Sequence, residues 1–276
     1  MHMDMNMGMD MGMDMKRFLC PEPDEGPLDR LIPTGGMTAI FRRIGCIGDS
    51  LSSGELEVHD TQGRVIWLDL LEHSWGQYLA RMTGAEVFNF SRGGMTAQEY
   101  CESFADSHNF WAPKLACDAY ILALGVNDLY AKGQELGSVA DIDMENCERN
   151  RSTFAGCFGK IIQRLRCVQP GAKLFFVTIP RRQAGEASAR RDGHAALMYD
   201  LAEAFGNAYV IDLRRYGPLH DEGYRARFYG ASHLNTMGYY LTALQIGSYI
   251  DWIIRHNPAD FRANGLAGLP YTLAGS

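Results

Sequence analysis

From residue 38 onward, short apolar runs alternate with longer amphipathic ones, and that rhythm predicts the elements. AIFRRIGCIGD (39–49) reads as the first strand. AEVFNFS (85–91), DAYILALG (118–125), AKLFFVTIP (172–180) and NAYVIDLRRY (207–216) read as four more. The third and fourth are continuously apolar, as strands buried on both faces of a parallel sheet tend to be. Helical spacing covers 74–84, 95–106, 151–170, 187–206 and 235–258. Gly stops the first of these, Pro-Gly the third and Asn-Pro the last. Five strands alternating with helices predict one parallel sheet with helices on both faces, a three-layer α/β/α architecture. The longer connections, 55–73 and 129–150, are expected to line a pocket.

Outside this rhythm the chain changes character. The opening MHMDMNMGMDMGMDMK alternates Met with polar residues or Gly and reads as a low-complexity tail without a fold. It lacks the basic stretch followed by an apolar core that marks a secretory signal. Residues 17–37 are rich in Pro, Gly and charge and read as an irregular lead-in. The expected organisation is therefore 1–37 tail and lead-in, 38–258 the folded domain, and 259–276 a C-terminal extension.

Composition narrows the class. Of 276 residues, 46% are hydrophobic and 21% charged, with a formal net charge of −7. That mixture suits a soluble globular protein and argues against a nucleic-acid or anionic-membrane binder. No apolar run approaches the roughly 18 residues of a membrane span. The seven cysteines show no CxxC pair, so neither a disulfide framework nor a zinc site is expected. Free thiols inside apolar runs point to a reducing, cytoplasmic setting.

In such sheets, ligands sit at the carboxyl ends of the strands, so the loops there hold the candidate chemistry. Ser50 follows the first strand in Gly48-Asp49-Ser50-Leu51; it can be exposed as a nucleophile or serve as a helix cap. Gly93-Gly94 follows the second strand and could offer a backbone N–H, or simply turn the chain. Asn127, in Gly125-Val126-Asn127-Asp128, can aim an amide above Ser50 as an oxyanion donor, or stabilise its own turn. Of the eight histidines, only His233 follows the last strand in a loop on that face. It is the candidate general base.

Together these four blocks resemble the SGNH hydrolase superfamily, the GDSL esterases and lipases, over roughly residues 40–256. Gly48-Asp49-Ser50-Leu51 is similar to its first block, and Asn89-Phe90-Ser91-Arg92-Gly93-Gly94-Met95-Thr96 to its second. Gly125-Val126-Asn127-Asp128 is similar to the third, and Gly230-Ala231-Ser232-His233 to the last. The runs SWGQYLARMTG, NFSRGGMTAQEYCESFA and GYYLTALQIGSYIDWIIRHNP further resemble a branch of that superfamily from anaerobic gut bacteria. The resemblance implies a flavodoxin-like five-stranded parallel sheet. It also implies Ser50 as nucleophile, His233 as base, and Ser50, Gly94 and Asn127 as oxyanion donors, with no metal or organic cofactor.

One position departs from the pattern. The superfamily usually carries Asp three residues before the catalytic His, and here that position is Gly230. A backbone carbonyl supporting a Ser–His dyad is the expected repair. Asp212, Asp221 and Glu222 are the alternative orienting acids, and a disabled site is the third outcome. Asp49 and Asp128 are expected to brace their turns. Trp67, Trp75 and Trp111 are expected to pack, with sugar stacking as the functional alternative. Arg181-Arg182 reads as a solvated charge pair, with anion binding as its alternative. The expected activity is serine-dependent hydrolysis of a short acyl ester, acetyl foremost, on a carbohydrate, through a Ser–His dyad or variant triad, with a small-molecule or oligosaccharide ester as substrate. A non-catalytic ligand-binding module and an O-acyltransferase on the same fold are the alternatives, and the oligomeric state is left open.

Overall fold

The computed structural model describes residues 19, 20, 22, 24–182, 187–266, 271 and 273. The Met-rich opening segment lies outside the described residues. Seven strands occur in chain order: β1 (Arg43–Gly48), β2 (Glu55–His59), β3 (Val65–Asp69), β4 (Glu86–Asn89), β5 (Ala119–Ala123), β6 (Lys173–Val177) and β7 (Ala208–Ile211). Five of them form one parallel sheet in the order β4-β1-β5-β6-β7, and β2 pairs antiparallel with β3 as a separate hairpin. The labelled helices are α1 (Ser50–Ser53), α2 (Trp75–Thr83), α3 (Phe154–Val168), α4 (Ala187–Phe205), α5 (Glu222–Phe228) and α6 (Thr236–His256).

The two-residue period of the strands divides the interior into two cores. On one face Ile47, Tyr120, Leu122, Leu174 and Phe176 pack with Phe154 and Phe158 of α3 and Met198 of α4. On the other, Ile44, Ile121 and Phe175 pack with Trp75 and Leu79 of α2 and Ile246 and Ile250 of α6. Both faces are covered, which is why β5 and β6 read as unbroken apolar runs. The five predicted strands and five predicted helices are recovered with ends trimmed by a few residues. The expected second helix is a composite, with Tyr100–Phe104 wound as a π-helix between two short α segments.

Two elements were not expected. Residues 55–69, anticipated as connection, form the β2–β3 hairpin, and α5 occupies 222–228. The hairpin turn is fixed by Asp60, whose Oδ1 accepts the N–H groups of Gln62 and Arg64 while Oδ2 accepts from Arg64 Nε at 2.7 Å. That turn sets the register, placing Glu57 opposite Trp67 and Glu55 opposite Asp69. Among the described residues, no helix is long and apolar enough to cross a membrane.

Candidate active site

The site begins where β1 ends. A side chain at Gly48 would strike Ser52 Oγ at 2.1 Å, so only glycine lets the chain turn this sharply. Asp49 then caps α1, accepting the Leu51 N–H at 3.0 Å, and Ser50 takes the first helical position. Tyr239 of α6 braces the turn from behind, donating to the Glu55 carbonyl at 2.6 Å and the Ser50 carbonyl at 3.3 Å.

Three loops are tied together beside Ser50. Asn127 Nδ2 donates to the Met95 carbonyl at 3.1 Å and lies 3.5 Å from Asp49 Oδ2. Asp128 Oδ1 accepts the Ala97 N–H at 2.7 Å. These bonds join the β1, β4 and β5 loops, which carry Ser50, Gly94 and Asn127. Gly94 holds φ 71°, a backbone conformation suited to glycine. Asp49 and Asp128 therefore brace turns, as expected. Burial pushes the Asp49 carboxyl up to about 7, and Asp128 up to about 6.

His233 meets Ser50 across this space, with Nε2 2.8 Å from Ser50 Oγ. Its other nitrogen does not follow the expectation of a carbonyl-supported dyad. Nδ1 lies 2.9 Å from Ser232 Oγ. The Ser232 hydroxyl and backbone N–H both donate to Glu57 Oε2, the latter at 2.8 Å. Glu57 Oε2 itself is 4.0 Å from Nδ1. An ionised carboxylate only accepts, so the Ser232 proton points to Glu57 and Ser232 Oγ is left to accept from Nδ1–H. That fixes the tautomer with Nε2 bare and facing Ser50. The two hydrogen bonds from Ser232 hold the Glu57 carboxyl below the usual carboxylate range.

The acids anticipated for this task are engaged elsewhere. Asp212 is buried, accepting from Thr178 Oγ1, Tyr199 Oη and the Arg215 N–H, each at 3.0 Å. Asp221 caps α5 through the Tyr224 N–H at 2.8 Å. Glu222 sits in the first turn of α5, on the wall of a separate cleft with Arg225. A Cβ at position 230 would lie 3.3 Å from the Glu57 carbonyl oxygen, so the strand that brings Glu57 crowds the place of a side chain there.

Sequence reasoning missed Glu57, Ser232, Glu55 and Trp67 as neighbours of His233. Glu55 and Glu57 alternate on one face of β2, and Trp67 is the cross-strand partner of Glu57. Glu55 Oε1 lies 3.5 Å from His233 Nε2. Burial and the facing Asp69 raise the Glu55 carboxyl. Trp67 is 50% exposed and sets its ring edge-on to His233, with centroids 4.8 Å apart. Trp75 is buried, and Trp111 packs against Tyr100 with Arg164 over its ring, so those two do serve packing. The readable signal was the Glu-Leu-Glu spacing facing a turn-bounded apolar run.

His233 titrates below its ordinary value because burial outweighs the opposing pull of Glu57, and Arg182 adds to the depression. A cavity of about 260 Å³ is walled by residues that flank the site in sequence, Ser50 and His233 themselves not lining it. Leu51, Val126 and Leu234, neighbours in sequence of Ser50, Asn127 and His233, are among its lining residues. Among the described residues, no three His, Cys, Asp or Glu side chains gather as metal ligands would.

Residues 46–241 match the model of the GDSL-like lipase/acylhydrolase family. A search of curated proteins finds no match. Among solved structures, the chain is similar to a carbohydrate esterase family 2 enzyme with a carbohydrate-binding domain from Corynascus thermopiles (Myceliophthora fergusii). That likeness has 16% identity and TM-score 0.52, covering 79% of this chain and 67% of that one. It is also similar to a family two carbohydrate esterase from Clostridium thermocellum in complex with cellohexaose. Here the identity is 14% and the TM-score 0.53, over 79% of this chain and 65% of that one, just under two thirds of its length. At these identities the likeness is one of fold.

Proposed function

The chain belongs to the GDSL-like lipase/acylhydrolase family, and from that premise we propose that it hydrolyses a short acyl ester of a carbohydrate through Ser50 and His233. The observation that carries this reading is the 2.8 Å approach of a tautomer-fixed His233 Nε2 to Ser50 Oγ.

Ser50 Oγ attacks the ester carbonyl carbon while its proton passes to His233 Nε2. The negative charge that develops on the carbonyl oxygen is met by the N–H groups of Ser50 and Gly94 and by the Asn127 amide. An amide nitrogen carries two hydrogens: Met95 takes one, and the other, in a long 3.5 Å contact with Asp49 Oδ2, would turn from that carboxyl to the oxyanion. Collapse of the intermediate expels the alcohol, protonated by His233, and leaves Ser50 acylated. Water then attacks the acyl carbon, gives its proton to His233 and releases the acid, and the proton returns to Ser50. In both halves the imidazolium is stabilised by Glu57 acting through Ser232 Oγ, the part that Asp at position 230 would otherwise fill.

Two observations favour a carbohydrate as the alcohol. Trp67 presents an exposed aromatic surface beside the catalytic imidazole, a usual platform for an uncharged ring. The similar folds also include carbohydrate esterases. The test is acetate release from acetylated cello- or xylo-oligosaccharides by wild type and Ser50→Ala. Release by wild type alone supports the reading. Hydrolysis of simple acyl esters with none of sugar acetates keeps the esterase and removes the carbohydrate.

A further inference from the structure

The cavity that Asp49, Leu51 and Leu234 help to line has a mixed wall. Its walls are largely apolar, from the carboxyl end of β6 and from α6, yet Arg182, Arg191 and His220 converge on it. Arg191 is only 8% exposed, and its Nε has no hydrogen-bond partner among the described residues. Its guanidinium lies over the Tyr130 ring, 4.9 Å from the centroid. A cation–π contact offsets part of the cost of burying this charge but uses none of its N–H donors. Arg182 follows β6 and is held beside His220 by a backbone bridge between the two residues. His220 donates its backbone N–H to the Arg181 carbonyl at 2.9 Å.

Among the described residues, neither Arg182 nor Arg191 forms an ion pair with a carboxylate. Asp192 pairs instead with Arg214 at 2.7 Å. The acid on the cavity wall is Asp49, the residue before Ser50. Asp221 and Glu222 line the adjoining cleft, which Arg182 and His220 also border, together with Arg225. His220 stacks on Tyr224, with ring centroids 4.2 Å apart, and its Nδ1 meets Tyr229 Oη at 2.9 Å. Burial and the three surrounding arginines hold it near 4, so it stays neutral and can contribute a hydrogen bond without a further charge.

Burial first, and the charge of the exposed Arg182 after it, depress the Arg191 guanidinium; a buried arginine with an unpartnered Nε is unfavourable for packing alone. An anion beside the two arginines would offset the buried Arg191 charge and use its unpartnered Nε–H, through the charge-assisted, forked bonds that arginine makes to carboxylate and phosphate. We propose that Arg182 and Arg191 form an anion-binding subsite, so that the ester accepted at Ser50 carries a carboxylate or phosphate held by these arginines of the cavity wall. The proposal rests on Ser50 as the reacting centre only for the word ester; the anion site itself stands on the two arginines. It deepens the reading above by naming a charge that an acetylated neutral sugar lacks.

The experiment has two arms. In the first, Ser50→Ala protein is titrated calorimetrically with hexanoate, inorganic phosphate and the uncharged hexanamide. Hexanoate or phosphate should bind at least about tenfold more tightly than hexanamide, the scale of one charge-assisted contact. Whichever anion leads identifies the group. Equal binding of all three overturns the proposal. In the second arm, wild type is assayed on two matched pairs. Mono(4-nitrophenyl) succinate against 4-nitrophenyl butyrate places the charge on the acyl part. 4-Acetoxybenzoate against methyl 4-acetoxybenzoate places it on the alcohol part.

One anionic member should exceed its neutral partner in kcat/KM by about tenfold or more, and Arg191→Met or Arg182→Gln should collapse that ratio. Arg182 is exposed, so Arg182→Gln tests the site even where Arg191→Met fails to fold. Arg182→Lys should restore part of the ratio. Turnover of neutral esters with no anionic preference in either arm overturns the subsite and leaves the esterase standing. Anion binding that Arg182→Gln weakens, in a protein that hydrolyses no ester, supports the subsite and removes the esterase.

Discussion

Glu57 and Ser232 lie 175 positions apart in the chain and meet beside the His233 imidazole, where one carboxylate oxygen accepts both the hydroxyl and the backbone N–H of the serine. The acid that orients His233 therefore comes from a hairpin at the start of the domain, and it acts through an intervening hydroxyl. The arrangement keeps the logic of a triad while changing the origin of its third member.

Because Glu57 and Ser232 act in series on one nitrogen, their losses should not add. Glu57→Gln and Ser232→Ala are each expected to lower kcat by roughly ten- to a hundredfold, and the double variant should be little worse than the poorer single one. Steady-state kinetics on 4-nitrophenyl acetate measures this. Losses that multiply would show that the two residues act independently.

The acid limb of kcat/KM reports the imidazole of the free enzyme. Glu57 favours the protonated ring and Arg182 opposes it. Glu57→Gln should therefore move the limb to lower pH, and Arg182→Gln should move it to higher pH. A limb that both substitutions leave in place would mean that another group controls it.

Stability should carry the mark of Asp49. Its carboxyl is raised by burial from 3.8 to about 7. Through that window the folded protein keeps a proton that the unfolded chain has released, so stability is lost as pH rises. Asp49→Asn preserves a good helix cap without the ionisable group. Relative to wild type, its melting temperature should be more favourable at pH 8 than at pH 5. His194 and His220 act at the acid end. Both are held from 6.5 down to about 4, so their contribution is present above pH 6.5 and is lost as pH falls toward 4.

Much of the sheet was legible because its strands are buried on both sides, which forces apolar runs such as LFFV in β6. Ser50, Gly94, Asn127 and His233 could be singled out as candidates because each lies in a loop after a strand. The hairpin was harder to read. Every residue of β3 is exposed, so Val65, Ile66, Trp67 and Leu68 follow no inside–outside alternation. Glu57 could not be assigned from sequence because its role depends on the register set by the Asp60 turn and on a meeting with a residue far along the chain. Gly230 announced that an acid was missing, but it held no information on what replaced it.

Trp67 should matter in proportion to the size of the alcohol. Trp67→Ala is expected to lower kcat/KM severalfold more on an acetylated oligosaccharide than on 4-nitrophenyl acetate, mainly through KM. Equal losses on both would assign the ring to holding His233 alone.

The central claim is that Ser50 is a nucleophile activated by His233. Labelling with a fluorophosphonate, followed by peptide mass spectrometry, tests it most directly. The account predicts one adduct on the peptide carrying Ser50, absent in Ser50→Ala and slowed by roughly a thousandfold or more in His233→Ala. An unlabelled wild-type protein, or an adduct on another residue, would contradict it.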